Sequence, residues 1–177
     1  MSAVARTIGI CSRTGSAVAV AIEDATLLRR WTLDLTEGRV PAQPFHAAAG
    51  RDDAAAFIRR AVDTVTEVAE RRLRELLAEV GPVAAVAVVT GDHPVPDEIA
   101  TILAAHTLMH AAEGQLYRDA LLDAATALGL RSVGMPRGRL AQRLAGDLAG
   151  TVAALGKAAG PPWRKEHKLA AVAALQA

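Results

Sequence analysis

The run Val-Ala-Ala-Val-Ala-Val-Val at positions 83 to 89 constrains the fold more than any other stretch of this sequence. It is apolar throughout, with Gly81-Pro82 before it and Thr90-Gly91-Asp92 after it. A segment that short, with no polar alternation, reads as a strand covered on both faces, in the middle of a sheet. Such a strand needs helices above and below it, and both of its flanks supply them.

Upstream, Asp52 and Asp53 are helix caps. Behind them Ile58, Val62, Val65, Ala69, Leu73, Leu76 and Val80 recur near the helical period, while Arg59, Arg60, Glu67, Glu70, Arg71 and Arg74 cover the remaining surface. This predicts an amphipathic helix of about seven turns. Downstream, TGDHPVPDE turns the chain, Pro96 suits a first helical position, and helix is expected to about Leu128, bent near Gly114 and ended by Gly129. LRSVGM is a candidate fifth strand, PRGRLAQRLAGDLAGTVAALG a third helix, KAAGPPW a break and RKEHKLAAVAALQ a terminal helix. At the other end, RTIGICSRTGSAVAVAIEDATLLRRWTLDLTEG is β-branched and apolar with turns at Ser12–Ser16 and Glu23–Thr26, which predicts three antiparallel strands. RVPAQPFHAAAG has two prolines and no periodicity and reads as a loop. The expectation is an α/β domain over residues 1–177, with a mixed five-stranded sheet of three antiparallel strands then two parallel ones, and helices on both faces.

Composition narrows the classes of function. With 51% hydrophobic but only 3% aromatic residues, the core is built from many small contacts. A formal net charge of +1 gives no global pull toward nucleic acid or an anionic membrane, and leaves room for a local basic face. The single cysteine, Cys11, precludes an intramolecular disulfide and a cysteine zinc cluster. The start MSAVARTIGICS lacks the apolar core of a secretory leader, and no run approaches the roughly twenty apolar residues of a membrane span. A cytoplasmic protein without a membrane partner is expected.

The order of elements is that of the ribonuclease H-like fold, and within it the chain resembles the RuvC-type Holliday-junction resolvases. TIGICSRTGSAVAVAI is similar to their first hairpin, where a strand ends in Gly-Ile-Asp before a Gly/Ser turn. LRSVGMPRGRLAQRLAG is similar to their fifth strand and the basic helix start after it, and RKEHKLAAVAAL to their terminal helix. The resemblance implies carboxylates from the first strand, the fourth strand and the last helix gathered around divalent metals, which clamp both reacting oxygens of a phosphodiester. Here the first-strand position is Cys11, AVAVVTG carries no acid, and Lys165 and Lys168 stand near the acidic positions of the last helix. Asp92 and Glu166 are the only substitutes. The resemblance thus implies the fold, and sets the departures against the activity.

Three candidate sites follow from the residues themselves. His106, His110, Glu113 and Tyr117 recur at helical spacing in HTLMHAAEGQLYRD. Two imidazoles at i, i+4 and a carboxylate on one helix face suit zinc or iron, with Asp92 or His93 completing the set. The same stripe equally suits a polar seam at a helix or subunit interface, or a ligand site without metal. Second, CSRTGS at 11 to 16 can present amides and hydroxyls to a phosphate, as the first hairpin does in actin-like ATPases that share the fold, or it is an ordinary hairpin turn. Cys11 itself reads better as packing than as a nucleophile. Third, Arg131, Arg137, Arg139, Arg143, Arg164, Lys165 and Lys168 make the C-terminal third locally positive, either a phosphate-binding face or a solvated one.

These readings order the functions. The leading one is a catalytically altered ribonuclease H-like binding or assembly module, acting on nucleic acid through Arg137, Arg139, Arg143, Lys165 and Lys168. The second is a divalent-metal-dependent phosphodiester hydrolase with Asp92, His110 and Glu113 as a remodelled site. The third is a structural homo-oligomer, a homodimer through the His/Glu/Tyr stripe.

Overall fold

The structure, a computed structural model, describes residues 6–177. Residues 1–5, which begin the stretch read above for a leader, lie outside the described residues. The strands are β1 (Arg6–Arg13), β2 (Ser16–Glu23), β3 (Thr26–Asp34), β4 (Ala85–Thr90) and β5 (Ser132–Pro136). They form one sheet in the order β3-β2-β1-β4-β5. β1 with β2 and β2 with β3 are antiparallel, while β1 with β4 and β4 with β5 are parallel. The apolar run therefore supplies an inner strand between β1 and β5, and Ala85 to Val89 are all buried, as its composition requires.

Alternation along the strands feeds two cores. Ile8, Ile10, Ala19, Val86 and Val88 face one side, where they meet α2 (Ala54–Val80) and α4 (His106–Ala127). Cys11, Val18, Val20, Ala87 and Val89 face the other, under α5 (Arg137–Ala145), α6 (Ala149–Ala159) and α7 (Lys165–Gln176). α7 lies very close to the sheet. A Cβ built at Gly9 would sit 1.8 Å from the carbonyl oxygen of Ala170, so only glycine allows this approach. The small residues Ala170, Ala171, Ala173 and Ala174 complete the contact, and Thr7 Oγ1 donates to the Ala174 carbonyl at 2.8 Å.

Four local features differ from the sequence reading. The proline-containing loop holds a single helical turn, α1 (Pro44–Ala48), with proline at its start and Phe45 and Ala48 buried in the core. The helix expected from Pro96 begins only with α3 (Ile99–Leu103), and it breaks at Ala105, whose extended backbone (φ −137, ψ 119) separates α3 from α4. α4 continues without interruption through Gly114, which provides room for the Arg118 guanidinium, whose Nη1 would lie 3.1 Å from a Cβ there. The basic third helix is two, α5 and α6, parted at Gly146. No helix among the described residues is long and apolar enough to cross a membrane.

Candidate functional site

Two polar constellations stand out, one on each side of the sheet. On the α2/α4 side, the first turns of α4 carry His106 and His110 and bring their rings together edge to face, with ring centroids 4.5 Å apart. α1 adds His46, whose ring centroid lies 5.0 Å from that of His106 and 4.5 Å from that of His110. One ring nitrogen from each of the three lies within 4.8 Å of the others. Glu113 is 1% exposed and sits behind this triangle. Its Oε1 accepts from His46 Nδ1 at 2.8 Å and from the His46 backbone N–H at 3.2 Å. Its Oε2 is buried without a partner, 3.9 Å from His110 Nδ1. His46 Nε2 is likewise buried and unpartnered.

The stripe seen in the sequence is thus divided among three environments. His106 and His110 are exposed, Glu113 is buried behind them, and Tyr117 is fully enclosed. The Tyr117 hydroxyl donates to the Ala42 carbonyl at 2.8 Å, and burial, then the nearby Glu113 carboxylate, push its pKa up to about 12. Tyr117 therefore belongs to the core, which corrects its reading as the flank of a subunit interface. Asp92 has other partners: exposed at the end of β4, its Oδ1 accepts from the Gly138 N–H at 2.8 Å at the start of α5. His46 escaped the sequence reading because its loop has no periodicity. The available signal was local, a proline at a helix start followed by buried Phe45 in QPFHAAAG.

On the opposite side, the carboxyl end of β1 meets the amino end of α5. Cys11 is fully buried there, and Arg137 Nη2 donates to its sulfur at 3.6 Å. Burial raises the Cys11 thiol above its ordinary pKa, partly offset by Arg137. Arg118 is half-buried nearby, and its pKa is lowered first by desolvation, with Arg137 adding like-charge repulsion. Outward from this group opens a cleft of about 540 Å³ lined by Ser12, Arg13, Thr14, Ser16, Arg137 and Glu166. The hairpin turn and the α5 start, read separately in the sequence, share this one cleft. Of the other basic residues, Arg139 and Arg143 border a cavity under β5, while Lys165 and Lys168 are exposed on α7.

Comparison with solved structures covers nearly the whole chain. A Thermus thermophilus RuvC in complex with a Holliday junction substrate matches 97% of this chain and 90% of its own at 17% identity, with a TM-score of 0.59. The chain has a ribonuclease H-like fold. A second Thermus thermophilus RuvC structure matches 96% of this chain and 91% of its own, at 17% identity and a TM-score of 0.58. No protein-family model and no curated protein sequence matches the chain. The ribonuclease H-like likeness rests on architecture, so the chemistry must be argued from the residues themselves.

Proposed function

We propose that this protein is a ribonuclease H-like module that binds nucleic acid through phosphate contacts at the carboxyl end of its sheet, without cutting it by magnesium chemistry. The observation that carries this reading is the guanidinium of Arg137 on the sulfur of Cys11, at the strand end where the resembled resolvases hold a carboxylate. Magnesium and manganese call for hard oxygen ligands. Here the strand end offers a buried thiol with an arginine against it and a second arginine, Arg118, close by. Asp92 Oδ1 is occupied by the Gly138 N–H, and among the described residues Glu166 is the one carboxylate lining the cleft. These residues do not fit a pair of magnesium ions.

They do suit a phosphodiester oxygen. Arg13 and Arg137 outweigh Glu166 in the cleft, and the hydroxyls of Ser12, Thr14 and Ser16 add neutral donors. The fold likeness supports a nucleic-acid partner, since one neighbour is a resolvase bound to a Holliday junction. Titrating labelled duplex and four-way-junction DNA at low salt, read by fluorescence anisotropy, tests the reading. Wild-type protein should bind, and the Arg13→Ala/Arg137→Ala double variant should lose about two phosphate contacts from the salt slope. Neither should cleave with magnesium or manganese. Metal-dependent cutting that Asp92→Asn abolishes would instead support a hydrolase. Unaltered binding by the double variant would remove the cleft from the interaction, and absence of all binding would favour the structural homo-oligomer.

A further inference from the structure

We infer that His46, His106 and His110 form a three-histidine site for a borderline transition-metal dication such as zinc, with Glu113 as the carboxylate that orients it. This site lies on the α2/α4 side of the sheet and does not depend on the cleft described above. Four features of the geometry converge on it.

The first is the triangle itself. Three imidazoles with ligand atoms all within 4.8 Å of one another are close to the spacing a tetrahedral ion requires. Zinc–nitrogen bonds of about 2.0–2.1 Å put two ligating nitrogens roughly 3.4 Å apart, so modest side-chain rotations close the set. The second is the pairing of rings. His106 stands nearly perpendicular to both His46 and His110, at 85° and 89°, so its ring meets theirs edge to face instead of stacking on them.

The third feature is the unpartnered nitrogen. Glu113 Oε1 accepts from the Nδ1–H of His46, and in the neutral ring this tautomer leaves Nε2 as an acceptor. That Nε2 is buried and has no hydrogen-bond partner. A buried acceptor with nothing to accept from is costly unless something fills its place, and a metal ion does so. The fourth is the second oxygen of Glu113. Oε2 is buried without a partner and faces His110 Nδ1 across 3.9 Å. When His110 binds through Nε2, its Nδ1–H points at this oxygen. One buried carboxylate then orients two of the three ligands, the outer-shell arrangement common to histidine metal sites.

The donor set selects the class of ion. Imidazole nitrogens suit zinc, copper, nickel and iron, whereas magnesium and calcium take oxygen. Three protein ligands leave a fourth position, and the exposure of His106 and His110 turns it toward solvent. An exchangeable water or a small anion would occupy it.

The test begins with full-length protein stripped by chelator and titrated with zinc by calorimetry and with cobalt(II) by visible absorption. One ion per chain is expected, with the intense visible bands of a tetrahedral cobalt centre. His106→Ala and His110→Ala replace exposed side chains, so they should fold normally by circular dichroism and lose the ion. Glu113→Gln should keep the stoichiometry and weaken affinity about 10–100-fold, as loss of an orienting carboxylate does. His93, offered by the sequence as a further ligand, is not among the clustered ligands, so His93→Ala should bind as wild type. No saturable uptake of zinc or cobalt would overturn the site, as would uptake unchanged in a folded His106→Ala/His110→Ala double variant.

Discussion

Glu113 Oε1 receives both the backbone N–H and the ring Nδ1–H of His46, a residue 67 positions earlier in the chain. This one oxygen ties the single turn of α1 to the long helix α4. The contact is nearly closed to water on the Glu113 side, at 1% exposure. Glu113→Ala should therefore leave two donors of His46 without their acceptor and destabilise the protein by about 1–3 kcal/mol in urea unfolding. Glu113→Gln retains an acceptor oxygen and should cost less. Equal losses in the two variants would mean that the charge, not the hydrogen bonds, sustains the contact.

Two glycines should lose stability to very different extents on gaining one methyl group. At Gly9 the new carbon would fall 1.8 Å from the Ala170 carbonyl oxygen, a backbone atom of a buried helix. Gly9→Ala must push α7 off the sheet, and a loss beyond the ordinary overpacking cost of about 1–3 kcal/mol is expected. Gly129 ends α4 with φ +71 and has nothing within 4 Å of a built Cβ. Gly129→Ala should cost only the left-handed backbone term, on the order of 1 kcal/mol. Thermal unfolding of the pair gives the comparison directly.

What the sequence made visible follows the range of the interactions involved. The inner strand β4 announced itself because burial on both faces removes all polar alternation, and α2 because one face packs over twenty-seven residues. Local chemistry also revealed the two hairpins. By contrast, the Glu113–His46 pair, the Asp92 bond to Gly138 and the Arg137 contact to Cys11 span 67, 46 and 126 positions. No periodicity encodes such pairs; only the path of the fold brings them together. Gly146 and Ala105 show the converse, since short interruptions in alanine-rich sequence barely disturb the helical pattern yet end the helices. The histidines of α4 were legible through their spacing, whereas the third member came from a loop whose one helical turn is too short to show a period.

Alkaline pH should destabilise the protein through Tyr117. Its folded pKa of about 12 stands above the ordinary phenol value of 10.0, with burial as the main cause and Glu113 as the next. Below pH 10 both folded and unfolded states carry the proton, so this contribution is fully present. As pH rises from about 10 toward 12, the unfolded chain ionises first, and stability on the order of 2 kcal/mol is lost. Tyr117→Phe should remove that slope while costing about 1 kcal/mol at neutral pH, through loss of the bond to Ala42. Parallel alkaline stability curves for wild type and Tyr117→Phe would refute the assignment.

The basic face gives the last prediction, and the structure ranks its members. Arg143 already faces Asp147 at 2.7 Å, whereas Arg139 is exposed and makes no ion pair among the described residues. Both border the cavity under β5, so they stand close to the same passing phosphates. A phosphate recruiting Arg143 must compete with an existing carboxylate, while one recruiting Arg139 displaces only water. Arg139→Glu should therefore weaken DNA binding more than Arg143→Glu, and both should do so evenly across sequences, because phosphate contacts carry no base information. Lys165 and Lys168, exposed three residues apart on α7, should each contribute about one contact to the salt dependence. If Asp147→Asn increases affinity in wild type and has no effect once Arg143 is replaced, the internal ion pair is what holds Arg143 back. A ranking in which Arg143→Glu is the more damaging would show instead that Asp147 positions Arg143 for the phosphate.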